Sequence, residues 1–259
     1  MSNGITASVT RAGTYEPFDL QVARGQIQGH SIVSIFGYQS SVTTTAIPIW
    51  ENATVYTYIT TASSLTLVST SASDDTSAKI LISGLDSSFN PISETLAMNG
   101  TGAVTTVNSY FRVNSLVMVS PGTGQTTNAG VITLKQSSNI VAQINTGIGK
   151  SQSTVYTVPA GYTFYLDFAE VNTSNSYTGA GIFTYKVQAI NNVTGVKLNV
   201  LQQPFVAIYV ANRASDPYAY TEKTDIQWQL VTSTGTLAAG VIVSGKLIQN
   251  NNSVTGIGT

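Results

Sequence analysis

Ser64-Leu65-Thr66-Leu67-Val68-Ser69 reads at a period of two, polar and apolar in turn from Ser64 to Leu67. Successive side chains of an extended strand point to opposite faces, so such a stretch buries one face and wets the other. Lys79-Ile80-Leu81-Ile82-Ser83 repeats the pattern more loosely. Thr54-Val55-Tyr56-Thr57-Tyr58-Ile59-Thr60 is β-branched and aromatic with no helical stripe, and reads as a further strand. Outward from these, strands are expected at 94–98, 103–107, 110–119, 129–134, 153–158, 162–171, 181–190, 196–202, 205–211, 225–232 and 238–248. Turn signals separate them: Asp74-Asp75, Asn90-Pro91, Asn99-Gly100, Pro121-Gly122, Pro159-Ala160-Gly161, Asn191-Asn192 and Thr234-Gly235. Residues 207–213 read as a strand in preference to a helical turn. The one helical expectation is a short turn near Phe18 to Arg24. The spacing is that of an all-β chain of antiparallel sandwiches, jelly-roll or immunoglobulin-like.

Composition agrees and excludes several functions. Of 259 residues, 36 are Thr and 29 are Ser, about a quarter, while only 9% are charged. Charge-driven disorder does not fit a net charge of -1 with 42% hydrophobic residues. Eleven basic residues against twelve acidic ones, unclustered, make no phosphate-binding field, so no nucleic-acid partner is expected. The chain has no Cys, hence no disulfide, thiolate metal site or Cys nucleophile. It has no run of 18 apolar residues and no apolar segment behind Met1, so neither a membrane span nor a signal peptide is expected.

Five segments are expected. Residues 1–48 hold no long alternating run, and read as an arm or docking segment. Residues 49–136 form a first β unit, 137–152 a polar connector, 153–250 a second β unit and 251–259 a flexible tail. From Gly25 to Trp50 there is no formally charged residue, and His30 is the sole His of the chain.

The search for chemistry is negative. A triad or a zinc site needs partners that one His without Cys does not supply. Asp167 and Glu170, three apart in a strand, are expected on opposite faces, which argues against a glycosidase pair. Asp74-Asp75 reads as a solvated turn, and Asp216-Pro217-Tyr218 with Glu222-Lys223-Thr224-Asp225 as an exposed charged loop. Gly149-Lys150-Ser151 matches only the end of a phosphate loop, with Ile144 where the first Gly belongs. Tyr162, Phe164 and Leu166 alternate as a core face, with Tyr165 opposite. No catalytic residue, cofactor or metal is expected.

Two stretches carry a resemblance. Gly84-Leu85-Asp86, Ile92-Ser93-Glu94-Thr95-Leu96, Asn99-Gly100-Thr101 and Tyr110-Phe111-Arg112-Val113 together resemble a pattern in virion proteins of tailed bacteriophages, of the marine or cyanophage type. Glu16 through Ile27, followed by Gly29-His30-Ser31, is similar to an N-terminal segment of such proteins; Val158-Pro159-Ala160-Gly161-Tyr162 is a generic companion. The resemblance covers residues 16–136, and the second unit by type alone. It implies a non-enzymatic structural protein of the virion, assembled in the host cytoplasm. The expected role is outer-capsid decoration or cement on the major capsid protein, as a homo-oligomer and by class a trimer. The alternative is a tail-fibre, collar or baseplate part whose second unit recognises host glycan. The expected contact residues are Phe18, Leu20, Arg24, Ile27, His30, Ile32, Ile35, Phe36 and Tyr38 in the arm, which would order on assembly, with Tyr218 and Tyr220 in the second unit.

Overall fold

The computed structural model describes residues 16–52, 54–174, 182–205, 209–233 and 235–250, with 209–217 as backbone only. The beginning of the expected arm, residues 1–15, and the expected tail, 251–259, lie outside the described residues.

Among the described residues one short helix, α1 (Phe18–Ala23), precedes sixteen strands: β1 (His30–Val42), β2 (Ile47–Pro48), β3 (Thr66–Ser69), β4 (Lys79–Leu85), β5 (Pro91–Ala97), β6 (Val104–Thr105), β7 (Arg112–Ser120) and β8 (Ile132–Gln136) come first. They are followed by β9 (Asn139–Ile144), β10 (Val155–Thr157), β11 (Tyr162–Thr173), β12 (Phe183–Asn191), β13 (Lys197–Phe205), β14 (Tyr209–Tyr220), β15 (Thr224–Thr232) and β16 (Leu237–Gln249). The chain is all-β, and its strand pairs are antiparallel. Four sheets result, in the orders β1-β16-β11-β14, β10-β15-β12-β13 with β2 beside β15, β6-β3-β8-β9, and β5-β4-β7.

The sheets share cores two by two. Val171, Val241 and Val243 of the first sheet lie in one hydrophobic cluster with Tyr185, Trp228 and Leu230 of the second. Leu67, Leu134 and Ile144 of the third lie in another with Ile80, Ile82 and Leu116 of the fourth. A small third cluster, Trp50, Tyr56 and Val155, sits where the two bodies meet.

The arm expectation is corrected. Residues 30–42 form one of the two longest strands among the described residues, registered against β16 from His30 opposite Ile248 to Val42 opposite Leu237. β2 likewise pairs with β15. Residues 30–48 therefore belong with 153–250, and the body built on β3–β9 is inserted between β2 and β10. The alternation in β1 is hidden because its inward positions are Ile35, Gly37, Gln39 and Val42, of which two are not apolar. Gly37 is required by close approach: a Cβ there would overlap the Ile49 carbonyl oxygen and the Thr154 methyl group.

Three smaller corrections follow from local chemistry. The expected connector contains β9, which returns against β8 through Ser137-Ser138, with Ser137 at φ 55°. Residues 54–60 are not a strand. Their Tyr56 and Tyr58 rings turn into the joint, where the Tyr56 hydroxyl donates to the Val141 carbonyl at 3.1 Å. β14 continues to Tyr220, through a stretch expected to be a loop.

Candidate contact surfaces and the joint between the two bodies

The most densely bonded polar group of the described residues is Arg112, at the start of β7. It is 5% exposed, and Asp225, at the start of β15, is 2% exposed. The Arg112 Nε and Nη2 donate to the two Asp225 carboxylate oxygens, each at 2.8 Å. Nη1 donates to the Ile59 and Phe111 carbonyls at 2.9 and 2.8 Å. The guanidinium lies over the rings of Phe111 and Tyr58, 4.1 and 4.6 Å from their centroids. Asp225 in turn accepts from the Thr157 hydroxyl at 2.6 Å and from Asn192 Nδ2 at 2.9 Å. Beside it, the Asn114 amide donates to the Thr157 carbonyl and accepts from the Thr157 amide, both at 3.0 Å. Every charged atom is met, which is the condition for a buried ion pair to be tolerated. This arrangement ties β7 of one body to β10 and β15 of the other.

The charged loop expected at 222–225 is thereby corrected at Asp225, which is core. The solvated turn at Asp74-Asp75 is corrected by half. Asp74 is fully buried and accepts from Ser69, Ala129 and Gly130 at 2.5, 2.8 and 3.0 Å, so it organises loops, while Asp75 is half-buried and accepts from the Ser77 and Thr123 amides. Asp167 and Glu170 are not on opposite faces. A bulge between Leu166 and Phe168 resets the alternation, and Asp167 pairs with Lys246 at 2.5 Å on the outer face. Among the described residues no group of three or more His, Cys, Asp or Glu converges as for a metal. No helix of the described residues is long and apolar enough to cross a membrane.

The expected contact residues divide. Ile32, Phe36 and Tyr38 are 39%, 41% and 38% exposed along the outer face of β1, which is the end strand of its sheet. Phe36 stands opposite Ile242 and Ile32 opposite Lys246, whose charge is met by Asp167 and Asp19. Leu20, on α1, is also exposed; Arg24 is exposed and paired with Glu16. Phe18 and Ile27 are half-buried, and the Phe18 ring packs edge-on to His30 at 5.9 Å. The His30 Nδ1 lies 3.0 Å from the Gln28 carbonyl. Ile35 and Tyr220 are corrections: both are buried, Ile35 because strand parity turns it inward from β1, and Tyr220 because it stacks on Phe164 and packs against Trp228, although it shares the face of Tyr218. Tyr218, two residues before Tyr220, is exposed.

No family model matches the chain, and no curated protein matches it. Among solved structures, the chain is similar to one titled "Structure of infectious bursal disease virus Gx strain", at 13% identity and a TM-score of 0.24, over 86% of this chain and 72% of that one. It is similar also to the "Crystal structure of infectious bursal disease virus VP2 subviral particle", at 12% identity and a TM-score of 0.22, over 86% and 73%.

Proposed function

We propose that the chain is a non-catalytic structural subunit of a tailed-phage virion, an outer-capsid decoration or cement protein that docks through the outer face of β1. One observation carries this reading. A long strand at the margin of its sheet presents Ile32, Phe36 and Tyr38 to solvent, inside a stretch from Gly25 to Trp50 without a charged residue. Monomeric surfaces seldom leave contiguous apolar residues wet, and edge strands are usually protected by charge. The face sits on a body joined by a buried ion pair, so docking costs little ordering entropy. It therefore does not need the disorder-to-order step expected of an arm.

In this reading each pair of sheets sharing a core is one sandwich, and the partner is the major capsid protein or a neighbouring copy, with a trimer as the expected oligomer. Neutral hydroxyl and aromatic contacts depend less on salt than ion pairs do. Purified particles washed across a wide range of salt should therefore retain the protein. Steep release at high salt would contradict the reading. Copy number separates decoration from the tail-fibre, collar or baseplate alternative: copies scaling with the capsid shell support decoration, and a handful per particle supports the tail.

A further inference from the structure

We infer that the hollow beside Tyr218 is a binding subsite for one neutral sugar ring. The inference goes beyond the virion role and stands or falls apart from it, since the site lies on β12, β13 and β14 and not on the face of β1. The hollow is an open depression of about 290 Å³, lined by Asn191, Thr194, Leu198, Tyr218, Thr221 and Thr224, among others. That is the lower end of the range for small-ligand pockets, roughly 300–1,000 Å³, and suits a single ring.

Four features set the chemistry. First, Tyr218 is 43% exposed and its ring meets the buried Tyr220 ring at 4.8 Å and a 57° tilt, so it is an open aromatic platform braced along one side. A flat aromatic face with an apolar rim, here Leu198 at 50% exposure, fits the C–H face of a pyranose. Second, the Thr224 side chain is buried at 4% exposure, yet its hydroxyl has one partner only, the Thr221 hydroxyl at the limiting distance of 3.5 Å. A buried hydroxyl normally finds a full partner, so this one lines the hollow with bonding capacity unused. Third, Asn191 is fixed in place. Its Oδ1 accepts from the amides of Val193 and Thr194 at 2.9 and 3.0 Å, and its Nδ2 donates to Thr221 at 3.2 Å, which leaves the second amide hydrogen for a ligand. Fourth, none of the described lining residues is charged, which disfavours phosphates, sialic acids and amines and favours a ligand made of hydroxyls.

The test uses the full chain and four probes: the methyl glycosides of galactose, glucose, mannose and N-acetylglucosamine, followed by saturation-transfer-difference NMR. At least one should bind in the roughly millimolar range open to one ring contact and a few neutral hydrogen bonds. Tyr218→Ala should weaken it by about tenfold, whereas Tyr218→Phe keeps the platform and most of the affinity. Thr224→Val, which preserves shape, should weaken it several-fold, and Tyr38→Ala on the distant face should leave it unchanged. Retained circular dichroism shows that each variant folds. A longer oligosaccharide of the same sugar that binds more tightly identifies a glycan chain as the ligand; equal binding identifies a terminal residue. Absence of transfer from all four glycosides to the wild-type chain overturns the inference, as does transfer that Tyr218→Ala leaves intact.

Discussion

Arg112 and Asp225 meet through two parallel hydrogen bonds of 2.8 Å, although 113 residues of sequence separate them. The pair closes the joint that makes one object of two cores. Removing one partner strands the other charge in a buried site. Asp225→Asn or Arg112→Met should each destabilise by roughly 3–5 kcal/mol, whereas the double change to apolar residues should cost much less than the sum. Urea unfolding of the three variants measures this. Additive losses would show that the two residues act independently.

Gly37 tests the placement of β1 in the body. Gly37→Ala forces a methyl group against the Ile49 carbonyl, which backbone cannot easily vacate, and should cost about 1–3 kcal/mol. Limited proteolysis of the isolated protein should likewise leave residues 30–42 uncut, because they are paired along β16. A fully tolerated substitution together with rapid cleavage there would restore a free arm.

Glu51 gives the joint a pH dependence. Burial raises its pKa from the ordinary 4.5 to about 7, against the lowering effect of the backbone amides of Asn145 and Gln152. The Asn145 amide donates to Oε1 at 3.1 Å. Between pH 4.5 and 7 the folded chain keeps a proton that the unfolded chain has released. The contribution is thus full below 4.5, falls as pH rises through this window, and levels off above it. Thermal melts should show a decline in stability over this window that Glu51→Gln abolishes. Parallel curves for the two proteins would remove Glu51 as its source.

Phe36→Ser and Tyr38→Ser separate docking from folding. Both side chains are about 40% exposed on the outer face, so stability should change by no more than about 0.5 kcal/mol. Incorporation into particles should fall strongly. Normal incorporation of the double variant would leave the β1 face without a role.

The strand content was legible because Leu65, Leu67, Ile80 and Ile82 fall at a period of two, the positions that the strands turn to the core. What stayed hidden did so for specific reasons. β1 spends inward positions on Gly37 and Gln39, chosen for clearance and not for apolarity, so its alternation does not read. β9 follows a turn of Ser137-Ser138, without the Asn-Gly signal that marks a tight hairpin. The bulge at Leu166–Phe168 flips a parity argument that is sound for a regular strand. Asp225 looked like part of a charged loop since its partner, Arg112, is remote in sequence. Ion pairs of that kind leave no local pattern. Of the expected contact residues, Ile32, Phe36, Tyr38 and Tyr218 are exposed, whereas Ile35 points inward from β1 and Tyr220, on the same face as Tyr218, is covered by Phe164 and Trp228.

The most direct test of the virion reading places a photo-crosslinking amino acid at Phe36, and in a second variant at Val107, which is 88% exposed on the other body. Particles carrying each variant are irradiated and the adducts identified by mass spectrometry. The account predicts adducts from position 36 to the major capsid protein or to a neighbouring copy, and few from position 107. Adducts from position 107 with none from position 36 would contradict it.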